Sequence, residues 1–301
     1  MNRQKIIRLS AFLAVTLLVS LACSLTSPAA TPEPPAITMP VPDTLVPPPL
    51  SEATVEPVVE ETAPLPADGE PVGPELKFSW LTVNMPPGVA SSGRSEVIPP
   101  TGPTDEVAPW DVAPLHEEIL LENYPLSGTF HKPYIRIYPV RDFIALLPSL
   151  AERTKMLEQI IQNKSTDPGS VPLLPPWNAG QVFLAKPAYL DFQNGSGIRY
   201  LTQYGQSFAP INNQDLFYSF QGLTSDGKYW VSAILPVNHP SLQAAADNPI
   251  PPDFIEFAEN FTQYIELIKA NLDTQPEDTF TPSLAELDAM MQSMLIEPLG
   301  P

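Results

Sequence analysis

The stretch from Gln181 to Val237 constrains the fold more than any other, because two tight-turn signals sit there between apolar runs. Asn194-Gly195-Ser196-Gly197 and Ser225-Asp226-Gly227-Lys228 both combine residue types that tolerate φ > 0, the requirement of a short hairpin loop. Before the first turn, Gln181–Gln193 reads as a strand that is bent or bulged near Pro187, since proline cannot donate to a ladder. After it, Ile198–Gln206 sets Ile198, Tyr200, Thr202 and Tyr204 against Arg199, Leu201 and Gln203. Leu216–Leu223 and Tyr229–Leu235 flank the second turn. The prediction is an antiparallel meander of about four strands. The alternation in Ile198–Gln206 further predicts a sheet covered on one face only.

The remaining elements are read from the same periodicities. Glu75–Asn84 reads as one strand, followed by a short strand at Glu96–Ile98 and by strands at Glu117–Tyr124 and Pro133–Val140. Arg141–Leu147 suits one or two helical turns. A second helix starts at Ser149, which forms a capping box with Glu152, and runs to about Gln162. Asp253–Leu272 reads as a single amphipathic helix with Asp253 as N-cap and Phe254, Phe257, Phe261, Tyr264, Ile265 and Ile268 on one stripe. A last helix spans Ser283–Leu295, with Thr281 as cap and Pro282 in the first helical position. The expected class is α+β: an antiparallel sheet of hairpins packed with two to three helices. Residues 75–301 are expected to form a single domain of this kind.

The N-terminal quarter has a different composition. The chain has forty prolines, and residues 28–74 carry fourteen of them. Ser24–Pro74 contains neither Lys nor Arg. Such a segment buries too little apolar area to offset its ordering entropy, so residues 23–74 are expected to be a disordered Pro/Thr/Glu-rich tether. Proline extends such a tether at about 3.1 Å per residue.

Residues 1–22 read as a signal peptide. Arg3, Lys5 and Arg8 precede the apolar run Leu9–Ala22, whose fourteen residues fall short of the about 20 needed to span a bilayer. Cys23 follows, the only cysteine, so no intramolecular disulfide supports the fold. Three fates are open to this segment: an uncleaved anchor, ordinary cleavage after Ala22, or lipoprotein processing at Cys23. The pair Ala22-Cys23 resembles the lipobox of bacterial lipoproteins, although Ser20 and Leu21 stand where that family prefers Leu and a small residue. The resemblance implies a diacylglyceryl group on Cys23, often with an N-acyl chain such as palmitate, and so a membrane as partner. Two or three acyl chains hold firmly where one binds marginally. The stretches Gly197–Gln206 and Gln221–Ala233 also resemble domains of uncharacterised predicted bacterial lipoproteins, a likeness that implies a location outside the cytoplasm and no particular activity.

The formal charge is −19, and loss of the three basic residues in the signal would take it to −22. That excludes nucleic acid as a partner, because phosphate binding needs basic patches. No nucleophile-elbow serine, phosphate loop or dinucleotide fingerprint is present. His116, His131 and His239 are scattered and show no metal-ligand spacing. Ser225 and Lys228 sit in a turn, not on one helical turn as a Ser/Lys pair requires. No catalytic residue, metal ligand or cofactor is therefore expected. The candidate ligand-binding residues are Trp177, Asn212, Asn213, Gln214 and Asp215. Aromatic rings stack on the apolar faces of sugars or peptides, and amides read polar groups. The plainer alternative makes the aromatics core and Asn212–Gln214 a solvated loop.

The expected function is that of a membrane-anchored, extracytoplasmic lipoprotein with a non-catalytic binding or structural domain. One alternative is a secreted or anchored hydrolase of wall polymers, with two of Asp191, Asp215, Asp226, Glu256 and Glu259 as acid and base. A solute-binding lipoprotein would need two lobes and a hinge, which one obvious sheet does not supply.

Overall fold

The computed structural model describes residues 73–245 and 253–297. The expected signal, Cys23 and the expected tether as far as residue 72 lie outside the described residues; Gly73 and Pro74, the last two residues of that expected tether, accept bonds from the Asn84 side chain and the Met85 amide. Among the described residues the class is α+β, with twelve strands, all paired antiparallel, and five α-helices; the short strands β6 (Gly180–Gln181) and β9 (Tyr204–Gly205) pair with one another.

The four predicted meander strands are present: β7 (Ala185–Phe192), β8 (Gly195–Thr202), β10 (Phe217–Thr224) and β11 (Tyr229–Pro236). They pair in that order, and β5 (Tyr134–Pro139), β4 (His116–Glu122) and β3 (Ser92–Ile98) continue the sheet beyond β11 to give seven strands. The bulge falls where proline demanded it: the β7–β8 register shifts between Ala185 and Ala188, and Lys186 takes φ +50°.

The first hairpin turn differs from expectation. Phe192 pairs directly with Gly195, so the loop is Gln193–Asn194 alone, and Ser196 and Gly197 already belong to β8. No positive φ is used there; Gly227, in the second turn, does take φ +69°. Asn194 is fixed instead from outside the hairpin. Its side chain donates to the Ile296 carbonyl at 2.7 Å and accepts the Ile296 amide at 3.1 Å. Gly195 is required because a Cβ would meet the Phe192 ring at 2.1 Å and the Leu223 carbonyl at 2.4 Å.

Both faces of the sheet are covered, not one. Every residue of β10 is buried, as is all of β11 except its first. Ile135, Ile137, Leu201, Tyr218, Phe220, Val231 and Ala233 form one core. It packs against α4 (Phe261–Thr274), α5 (Leu284–Gln292) and a small sheet of β1 (Glu75–Lys77), β2 (Leu81–Asn84) and β12 (Leu295–Ile296). On the other face Tyr138, Ile198, Tyr200, Leu223 and Trp230 pack against α1 (Val140–Leu146) and α2 (Leu150–Asn163). The sequence misled because the polar member of the β8 alternation, Arg199, is not solvated. It is 3 % exposed and paired with Asp288 of α5.

Four local expectations are corrected. Glu75–Asn84 is a hairpin and not one strand. The amides of Ser79 and Trp80 donate to the buried Glu117 carboxylate at 2.9 and 2.8 Å, which folds β1 back on β2. Asp253–Leu272 is two helices, α3 (Phe254–Glu259) and α4, which meet at Asn260, whose backbone amide and side chain both donate to the Glu256 carbonyl, at 3.1 and 2.9 Å. The last helix is shorter than Ser283–Leu295, and Thr281 does not cap it; Thr281 exchanges backbone bonds with Asn238. Ser149 is the N-cap of α2 but makes no capping bond. The amides of Leu150 and Ala151 already donate to Leu147 and Pro148.

Candidate functional site

The site begins with how Trp177 is held. The segment from Val171 to Leu174 is buried against the face that carries α1 and α2. There Gln221 of β10 and Ser232 of β11, opposite one another in the ladder, form a small polar network. The Gln221 carbonyl accepts the Trp230 indole N–H at 2.9 Å and the Leu174 amide at 3.4 Å. Its amide donates to Ser219 and Ser232, and the Ser232 hydroxyl donates to the Leu174 carbonyl at 2.6 Å. These bonds offset the cost of burying the polar groups and anchor the loop three residues before Trp177.

The indole then enters an aromatic cluster. It stacks on His131 with centroids 4.7 Å apart and planes at 14°, and meets Tyr204 and Phe217 edge-on at 5.0 and 5.6 Å. Burial depresses His131 to a pKa of about 4 against a weaker opposing pull from Asp215, so the ring is neutral near pH 7. Phe130, 71 % exposed, packs on the edge of His131.

Strand β5 contributes Tyr134, Arg136 and Tyr138 on the same face. The Arg136 guanidinium lies 4.1 Å from the Tyr134 ring centroid, and its Nε donates to Glu118 at 2.6 Å. Burial opposes its charge, but the neighbouring Tyr138, Tyr134 and Glu118 more than offset this, and the side chain stays protonated. The Tyr138 hydroxyl is buried without a hydrogen-bond partner, and burial pushes its pKa up to about 12.

Three cavities meet at Trp177. One of about 670 Å³ is lined by Phe130, His131, Tyr134, Arg136, Asn178 and Tyr204, among others. A second, of about 450 Å³, shares Arg136 and Trp177 and adds Trp110, Asp111, His116, Glu118 and Tyr138. A third, of about 410 Å³, lies towards Arg153 and Gln181. All fall within the about 300–1,000 Å³ usual for small-ligand sites.

The other candidate residues are not among those lining these three cavities. Asn212 is buried; its side chain donates to Asp215 at 2.9 Å and accepts the amides of Gln214 and Asp215, closing its own loop. Asn213 clasps a neighbouring loop by donating to the carbonyls of His239 and Leu242 and accepting the His239 amide. Gln214 is exposed, and its carbonyl accepts the Phe130 amide at 2.8 Å. Asp215 is near enough to His131 to act on its charge. Sequence reasoning missed His131, Tyr134 and Arg136. The signal was present in Pro133–Val140, where Tyr134, Arg136 and Tyr138 alternate onto one face.

The carboxylates weighed as an acid–base pair are dispersed. Asp191 is exposed on β7, Asp226 sits in the second hairpin turn, and Glu256 and Glu259 are exposed on α3. Among the described residues no three His, Cys, Asp or Glu side chains gather as a metal site, and no helix is long and apolar enough to cross a membrane. Comparison with protein families, with curated proteins and with solved structures finds no match for this chain.

Proposed function

We propose that this chain is an extracytoplasmic carbohydrate-binding lipoprotein: lipid on Cys23 holds it at a membrane, residues 24–74 space it from the surface, and the cleft at Trp177 takes a sugar ligand. One observation carries the binding reading. Trp177 forms a common wall of three cavities, with a guanidinium, an amide and aromatic rings around it. Rings present apolar faces to sugar C–H groups, while Arg136, Asn178 and Gln206 offer hydrogen bonds to hydroxyls. Binding without catalysis is favoured over hydrolysis because the residues lining the largest of these three cavities include no carboxylate. In the second cavity Glu118 is engaged by Arg136, and the other carboxylate, Asp111, is exposed to solvent.

Affinity electrophoresis through gels containing soluble polysaccharides tests the binding. Retardation of the wild type that is lost in Trp177→Ala is expected, and no retardation in any polysaccharide would overturn the reading. Labelling with a fatty-acid analogue tests the anchor. Label on the wild type and none on Cys23→Ala is expected; an unlabelled wild type removes the lipid.

A further inference from the structure

We infer that the ligand of the Trp177 cleft is an uncharged oligosaccharide that crosses Arg136 and occupies two adjoining cavities at once. This rests on the carbohydrate reading above and adds the length and charge of the ligand.

The length follows from shared walls. The cavities of about 670 and about 450 Å³ have Arg136 and Trp177 in common, so they are lobes on either side of one pair of side chains. Each is large enough for a small ligand of its own. Each also carries a large exposed aromatic away from the junction: Phe130, 71 % exposed, and Trp110, 40 % exposed. Both rings offer apolar faces of the kind a chain of sugar rings covers in succession.

The junction supplies donors in a fixed orientation. A guanidinium has five N–H groups, and Glu118 draws on those of Nε and Nη2. The remainder can meet ligand oxygens, with the guanidinium plane held by Glu118 and by the Tyr134 ring.

Charge sets the remaining property. The second lobe has Asp111 and Glu118 against the single cation Arg136, within a chain of net charge −19. A uronate polymer would place its carboxylates against a wall that is already negative, with Arg136 committed to Glu118. An uncharged chain meets no such penalty.

The test is a calorimetric titration of the full chain with unbranched oligosaccharides of one to six rings, in neutral glucose, neutral N-acetylglucosamine and uronic acid series. A neutral series is expected to gain at least about tenfold in affinity between two and six rings. Trp110→Ala should lower six-ring affinity about tenfold and two-ring affinity less. Affinity independent of length, or a length gain untouched in Trp110→Ala, overturns the extended ligand while the carbohydrate reading stands. Preference for the uronic acid series overturns the uncharged ligand. Binding by no series overturns the carbohydrate reading itself.

Discussion

Arg199 of β8, buried, and Asp288 of α5, half-buried, are joined by Nε contacts to the two carboxylate oxygens at 3.1 and 3.2 Å and by Nη2 to Oδ2 at 3.1 Å. Glu277 also accepts from Nη2, and the Tyr218 hydroxyl donates to Asp288 at 2.9 Å. This cluster ties the last helix to the main sheet. Asp288→Ala leaves a buried guanidinium without its main partner and should cost about 3–5 kcal/mol in urea unfolding. Replacing both partners by apolar residues should cost less than the single change.

Glu117 supports the opposite edge of the same core. It is fully buried and accepts from the Ser79 and Trp80 amides and from the Ser95 hydroxyl. Glu117→Ala orphans these donors and should destabilise by about 3 kcal/mol or more, while Glu117→Gln, which keeps an acceptor, should cost less. Equal unfolding midpoints for the two variants would contradict this role.

Gln221 connects stability to the site. Gln221→Leu removes the acceptor of the Trp230 indole and the Leu174 amide and should cost about 1–3 kcal/mol. It should also speed hydrogen exchange in the 171–180 loop and weaken ligand binding, since Trp177 follows that anchor. A variant with wild-type exchange there would show the loop to be held by packing alone.

Acid should destabilise the fold earlier than carboxylate chemistry requires. Burial lowers the pKa of His116 and His239 and takes His131 to about 4. The unfolded chain binds protons near 6.5 that the folded chain refuses. Stability is therefore complete above about pH 6.5 and lost as pH falls towards about 4. Unfolding midpoints measured across that range should decline, and His131→Phe should flatten the decline.

The hairpins, the bulge at Pro187 and most element positions were legible in the sequence because they depend on local patterning. Three features depended on partners distant in the chain. Asn194 looked like a turn residue able to adopt φ > 0, but Ile296 fixes it. Arg199 read as solvent-facing until Asp288 arrived from α5. Asn213 looked like a ligand amide, but its side chain bonds His239 and Leu242. Trp177 was visible as a candidate, whereas His131 and Arg136 reach it only through the pairing of β4 with β5 and the packing of the following loop.

The most direct measurement is the shift of tryptophan indole N–H resonances on titration with a neutral oligosaccharide. The chain has four tryptophans, at positions 80, 110, 177 and 230. The Trp177 signal should move in a saturable manner, with Trp110 following for long ligands. Trp230, buried and bonded to Gln221, should stay in place. Saturable binding that leaves the Trp177 resonance unmoved would contradict the account.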